Sequence, residues 1–492
     1  MQDATKNSEF VSREQYDKLQ SEYHYIKDQL TELKRLVFGS KSERFENNLD
    51  DAQQLSLFDT ALKEEAAQVK EQISYSRNKT KKNKHQPVRK VLAAHLPRVE
   101  ETIEPEELEQ GSKKIGQEVT EVLEYTPGSI FVRKIIRPKY AKPDNQGVCI
   151  GELPSLPLPK SNAGASMLSH ILVSKFIDHL PLYRQIQIFK RQSLYLSSST
   201  LNNWFNGASD LLEPLYGVLE KELLSCDYLQ IDESPIGVMD SDKKGALHSG
   251  YQWVFRSPAQ KIVMFKYHKS RSKQAPEQVL ENFKGTLQTD GYQVYQNLSI
   301  KENIIHVACW AHARRYFEKA LNNDNKRASY ILNEIQKLYQ IERKARESEI
   351  NFEVRRRYRQ LFAKPILNKL QIWLKENILQ TTPKSAIGKA INYTLNLWES
   401  LVNYIEHGSY EIDNNLIENS IRPLALGRKN YLFAGSHKAA QNAAMMYSFF
   451  ATCKINSIEP LAWLTDVLNR IQEHKANKLT ELLPQNWKPK SD

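Results

Sequence analysis

The order of its apolar segments constrains this chain most. Five short runs between residues 228 and 308 have the length and composition of strands: Tyr228–Asp232, Tyr251–Arg256, Lys261–Tyr267, Thr286–Asp290 and Asn303–Ala308. A turn at Ser257-Pro258 joins the second to the third, and the spacing predicts a helix over 274–283 before the fourth. From Ala311 to about Glu406 the pattern is helical, and a last helical block runs from near Asn414 toward Glu473 with breaks at Pro423, Gly427, Gly435 and Pro460.

Three strands, a helix, two strands and then helices suit an α/β fold with an RNase H-like core, a mixed sheet carrying helices on both faces. Several other α/β folds share the order, so the site has to decide function. Asp232 closes the first strand, on the face of Tyr228 and Gln230, and Asp290 closes the fourth, on the face of Thr286 and Gln288. If the two strands are neighbours, the carboxylates meet at one end of the sheet. A single Asp at a strand end is more often a turn former. Two at matching positions fit the needs of phosphodiester chemistry, in which two divalent ions about 3.5–4 Å apart clamp the attacking and leaving oxygens and take hard oxygen ligands.

A third carboxylate can come from a helix over 414–423, with Asp413 as its expected N-cap. There Asn415, Glu418, Asn419 and Arg422 share one polar face, while Leu416, Ile417 and Ile421 pack elsewhere. A Glu–Arg pair at this spacing is commonly a plain surface pair; the two asparagines make this face unusual as solvent cover. Arg428, Lys429 and Lys438 follow and are candidates for DNA phosphates. Glu233 competes with Asp232 but points to the other face of a continuing strand. His306, Cys309 and His312 have a zinc-like spacing without a fourth ligand and read as structural. Trp310 reads as core or as a base-stacking residue, and Arg314 and Arg315 as surface residues or a phosphate grip.

The 492 residues suggest two to four domains, with 40% hydrophobic residues to build a core, and the net charge of +11 favours an anionic partner, nucleic acid before membrane. The four cysteines, Cys149, Cys226, Cys309 and Cys453, form no CxxC pair and read as free thiols in a reducing cytoplasm. The polar start has no signal-peptide core, and no apolar run is long enough to span a membrane.

Upstream, residues 12–45 carry a heptad seam, Tyr16, Leu19, Tyr23, Ile26, Leu30, Leu33 and Val37, which predicts a coiled coil for self-association or an amphipathic helix packed on its own domain. Residues 46–95 form a basic polar linker whose run from Arg77 to Lys90 is solvated or neutralises phosphates. Residues 96–152 read as a small β-containing unit with a strand over Ser129–Ile136, followed by the proline-rich Leu153–Pro159. Over 160–220 the pattern is helical, with a hydroxyl-capped start near Ser197, compatible with a helix-turn-helix but equally with plain packing. The catalytic core is expected over 225–450, with a helical insertion at about 311–406, and a C-terminal helical segment over 451–492.

At these motifs the chain resembles the transposases of the IS66 family of bacterial insertion sequences. The matching pieces include LKRLVFGSKSER near residue 40, LVSKFIDHLPLYRQ at 172–185, STLNNWF at 199–205, QIDES at 230–234, QTDGY at 288–292, CWAHARRYF at 309–317, NNLIENSIRPLALGRKNYLFAGS at 414–436 and TCKINSIEPLAWLTDVL at 452–468. The resemblance implies a DDE transposase with an RNase H-like core and Asp232, Asp290 and Glu418 as the triad holding two Mg²⁺ (or Mn²⁺) ions. It implies hydrolysis at element ends followed by strand transfer of the freed 3′-OH into target double-stranded DNA. It also implies an N-terminal leucine-zipper-like segment, accessory transposition proteins as partners, and a cytoplasmic, nucleoid-associated setting.

The chain departs from the family pattern twice. The resemblance implies a zinc-finger-like unit over 96–152, but here it has lost its cysteines apart from Cys149, so no zinc is expected there, and the residue after Glu418 is Asn419 where the family commonly has Arg. A catalytically inactive, DNA-binding relic is the competing reading. A carboxylate-based glycosidase is a remote third one, which metal dependence would exclude.

Overall fold

The computed structural model describes residues 155–158, 161–239, 246–291 and 304–489, and upstream of these only 128, 130–133, 135, 139–141 and 148–150. The expected coiled coil and basic linker lie outside the described residues. The chain divides into two compact units, one containing residues 154–492 and the other residues 55–153.

In the second unit β1 (Lys139–Ala141) pairs antiparallel with β2 (Val148–Ile150). The strand expected over Ser129–Ile136 does not form: residues 130–133 and 135 are exposed coil. Apolar, β-branched composition makes a strand only where another strand takes its backbone groups, and here the ladder lies a few residues downstream.

The larger unit opens with three helices, α1 (Ala165–Phe176), α2 (Leu182–Arg191) and α3 (Ser198–Leu224). Ser197 caps α3 as its sequence suggests, its side chain accepting from Thr200 N at 3.1 Å. These helices do not form a separate module. Leu168, Leu172, Leu212 and Leu219 bury in the same core as the sheet residues Ile231, Val254 and Phe265.

The sheet contains β3 (Tyr228–Met239), β4 (Leu247–Ser257), β5 (Ile262–His268), β6 (Gly285–Thr289) and β7 (Ile304–Ala308), in the order β5-β4-β3-β6-β7. The first three strands run antiparallel, and β6 and β7 run parallel to β3 and to each other. Between β5 and β6 the helix α4 is shorter than expected, Gln274–Val279, because a turn that buries Leu280 and Phe283 follows it. After β7 come α5 (Trp310–Ala320), α6 (Asn325–Glu347), α7 (Phe352–Ile378), α8 (Ala386–Asn396) and α9 (Trp398–Val402), which build a second core around Phe317, Ile335, Leu367 and Leu401. These helices occupy the stretch expected to be helical, from Ala311 to about Glu406.

The chain then returns through α10 (Asn415–Tyr431), β8 (Phe433–Ala434), α11 (His437–Ile455) and α12 (Pro460–Arg470). The breaks expected at Pro423 and Gly427 do not occur; both lie inside α10. A proline within a helix costs about 3 kcal/mol, and here buried Leu424 and Ala425 and an anchored Arg428 hold the following turns in place. At Gly427 an added Cβ would come within 2.5 Å of the Tyr447 hydroxyl, so the glycine permits close packing of α10 on α11. Pro460 starts α12. The expected division at residue 450 falls inside α11. That helix covers the edge strand β5, with Ser448 Oγ accepting from Phe265 N at 2.8 Å and Thr452 Oγ1 from Val263 N at 3.1 Å.

Candidate active site

Strand β3 is longer than its sequence suggests, and this creates the site. Its first residues, Tyr228–Gln230, pair with β6, and Gly237 and Val238 pair with β8 on the same side. Between them is a stretch bordered by β4 alone. Two side chains from α10 and its approach fill the gap: Asn414 Nδ2 donates to Ile231 O at 3.3 Å, and Arg428 Nη1 to Pro235 O at 2.6 Å. The Pro235 backbone therefore faces away from β4, where its missing N–H breaks no ladder.

Asp232 lies in this gap, and Asp290 directly follows β6. The register pairs Gln230 with Gln288, two residues before Asp232 and Asp290 respectively, and the Asp290 charge acts on Asp232. Gly291 turns the chain away with φ +89°, and a Cβ there would come within 2.6 Å of Leu397. Tyr393 of α8 donates to the Asp290 carbonyl at 2.7 Å.

Glu418 reaches this end of the sheet because the segment before α10 is tied down along its length. Glu411 N donates to the Tyr228 hydroxyl at 3.1 Å, and Gln288 Nε2 to Glu411 O at 2.7 Å. Trp310 N donates to Ile412 O at 3.1 Å, and Asn414 N to Cys309 Sγ at 3.2 Å. Arg256 Nη1 holds the first turns of α10 through Leu416 O and Ser420 Oγ, each at 3.1 Å. The N-cap is Asn414 rather than Asp413; the Asp413 side chain instead accepts from Asn415 N at 3.1 Å and from the Tyr339 hydroxyl at 3.0 Å.

The three carboxylates sense one another. Burial, then the charges of Glu233, Asp290 and Glu418, push the Asp232 carboxyl well above the usual range, against a hydrogen bond from Glu233 N. Burial also raises Glu418; Arg315 and Arg422 oppose this, while Asp413 and Asp290 add to it. Among the described residues no three His, Cys, Asp or Glu side chains converge closely enough to hold a metal ion as they stand. The donor set nonetheless fits a hard divalent cation: oxygen ligands only, with two of the three carboxyls held toward the protonated form.

Glu233 is engaged elsewhere, its carboxylate accepting from Arg271 Nε at 2.7 Å. Arg315 and Arg422 act on Glu418, Arg314 pairs with Glu318 at 3.0 Å, and Arg428 also donates to Ser234 Oγ at 3.0 Å. Lys429 is exposed, and Lys438 pairs with Asp210 at 3.5 Å. Trp310 is core, its Nε1 donating to Leu401 O at 2.8 Å.

His306 is held by Thr289 at 2.8 Å and Ser400 at 2.9 Å, and burial lowers it to about 4. His312 differs. Burial lowers it too, the Asp290 charge acts on it, and its buried Nδ1 has no hydrogen-bond partner among the described residues. The sequence marks His312 only as the end of a zinc-like spacing, so its position beside Asp290 is new, as are the anchoring roles of Asn414 and Arg256.

Comparison with known proteins agrees with this architecture. Residues 160–442 match the family described as Transposase IS66 family, residues 448–485 the IS66 C-terminal element, and residues 26–100 the family described as Transposase C of IS166 homeodomain. The chain belongs to the IS66 transposase family. Similar proteins include two uncharacterized proteins of Sinorhizobium fredii. One, y4jD, is 32% identical, with 94% of each chain covered; the other, y4hP, is 30% identical over 93% of this chain and 88% of its own. No helix among the described residues of this IS66 protein is long and apolar enough to cross a membrane.

Proposed function

We propose that this transposase works by DDE chemistry on an RNase H-like core, with Asp232, Asp290 and Glu418 as its metal-binding triad. The pairing of Gln230 with Gln288 on parallel neighbours, each two residues before one of the aspartates, is the observation that supports the reading. The strand order β5-β4-β3-β6-β7, three antiparallel strands followed by two parallel ones, supports the core assignment. Two Mg²⁺ or Mn²⁺ ions would supply charge stabilisation for the attacking and leaving oxygens. The chain's own part is to orient: β3 and β6 fix two carboxylates, the segment 411–414 and Arg256 fix the third, and Arg315 and Arg422 temper its charge. The substrate is double-stranded DNA, cut at element ends and joined to a target by the freed 3′-OH. The heptad seam at 12–45 serves self-association.

The test is DNA end cleavage with Mg²⁺ by the wild type and by Asp232→Ala, Asp290→Ala and Glu418→Ala. Each substitution is expected to lower the rate roughly a hundredfold or more. Activity surviving in one variant removes that residue from the triad. A wild type that binds ends and never cuts them is the inactive, DNA-binding relic.

A further inference from the structure

A cavity of about 390 Å³ opens where α1, α3, β8 and the start of α11 meet, away from the three carboxylates. Its lining includes Lys175, Asn202, Asn206, Gly435, Ser436 and Lys438. Lys175 is the unusual member. Its ammonium lies 4.9 Å from the Phe205 ring centre and 5.5 Å from that of Phe176, and no carboxylate pairs with it among the described residues. Burial lowers it to about 8. Lys175 is half-buried; the aromatic faces offset part of the cost of placing its cation there, and an anion in the cavity would offset more.

Three further features point the same way. The N-terminus of the 19-residue α11 lies in the lining; Ser436 Oγ satisfies Ala439 N, while a helix start leaves further amide donors for an anion. Among the described residues Lys438 is held by an exposed pair with Asp210 at 3.5 Å, a contact weak enough to exchange for a ligand. A Cβ built on Gly435 would meet nothing within 4 Å, so the protein leaves space at the cavity wall that it does not itself use.

We propose that this cavity is a phosphate-binding site for a DNA strand, with Lys175 and Lys438 as its cations and the start of α11 as its backbone donor. The assignment to DNA rests on the transposase reading and on position. Phe433 of β8, which also lines the cavity, pairs with Gly237, five residues along β3 from Asp232. That is about 17 Å of strand, the length of about five base pairs of duplex. A duplex engaged at the carboxylates and running along β3 would reach this wall.

The test uses the full chain and duplex DNA, with affinity measured against salt concentration. Lys175→Met keeps the apolar stem against Phe205. It is expected to weaken binding at low salt and to reduce the slope of log affinity against log salt by about 1, with an unchanged melting temperature. Gly435→Ala, whose added methyl meets no protein atom, is expected to weaken DNA binding without changing the melting temperature. An unchanged affinity and slope in folded Lys175→Met, or unchanged affinity in Gly435→Ala, overturns the proposal. Inorganic phosphate is the control: if it stabilises the wild type but not Lys175→Met while the DNA slope is unchanged, the site takes a small anion and the DNA assignment fails. A wild type that binds no DNA at all sinks the transposase reading instead, and one that binds DNA without cutting it sinks only the catalytic part.

Discussion

Asp413 lies five residues before Glu418, and its carboxyl is pushed up to about 6, chiefly by burial, against hydrogen bonds from Asn415 and Tyr339. A carboxyl raised in the folded state stabilises it at low pH, and that stabilisation is lost as pH rises through the folded value. Metal-free protein should therefore lose stability between about pH 4 and pH 6. Asp413→Asn should flatten that part of a plot of melting temperature against pH. A variant with the wild-type pH dependence would show that Asp413 does not titrate there. The sequence marks Asp413 only as a helix cap. Its role is hidden because its partner Tyr339 belongs to α6, 74 residues away. Asn414 and Arg256 were illegible for the same reason: each acts on a backbone carbonyl that no local pattern identifies. Asp232, Asp290 and Glu418 stood out because the two aspartates close short apolar runs and Glu418 sits on a polar helix face, both of which are local patterns.

Among the elements, the strands that were legible are those with a partner along their whole length, such as β5 and β7. The extension of β3 past Asp232 was not, because it contains Pro235 and Gly237, residue types that normally interrupt a strand. They are tolerated because Pro235 lies where β3 lacks a neighbour on one side and Gly237 where β8 passes close, its Cβ position 3.4 Å from the Phe433 side chain. In the insertion, α6 and α7 are joined by Glu342 and Arg359, both fully buried, with Nε–Oε1 at 2.7 Å. Burial alone would raise Glu342, but hydrogen bonds and charge from Arg359 and Arg355 more than offset it and hold it low. Arg359 also donates to the carbonyls of Tyr404, His407 and Tyr410, and Arg355 reaches Glu411 at 3.2 Å. Arg359→Met leaves a buried carboxylate short of a partner and should cost about 3–5 kcal/mol in urea denaturation. A loss under about 1 kcal/mol would mean that Arg355 alone satisfies Glu342. Because the same network holds the chain up to Glu411, the variant should also lose end cleavage at temperatures where it remains folded.

Over the whole molecule, a net charge of +11 suits a polyanionic substrate. Affinity for DNA should fall steeply between about 50 and 200 mM salt, with one counterion-release increment of about −0.9 for each phosphate neutralised. Binding that ignores salt over this range would mean that phosphate contacts contribute little. The two hydrophobic cores show how the 127 residues between Asp290 and Glu418 are used: most of them form a structure of their own that returns the chain to the sheet. This arrangement sets an order in time. As the chain leaves the ribosome, Asp232 and Asp290 emerge early, but Glu418 can join them only after the insertion has been made and its end has closed on Tyr228, Gln288 and Cys309. A chain truncated before Glu418 carries two of the three carboxylates and cannot assemble the triad proposed above.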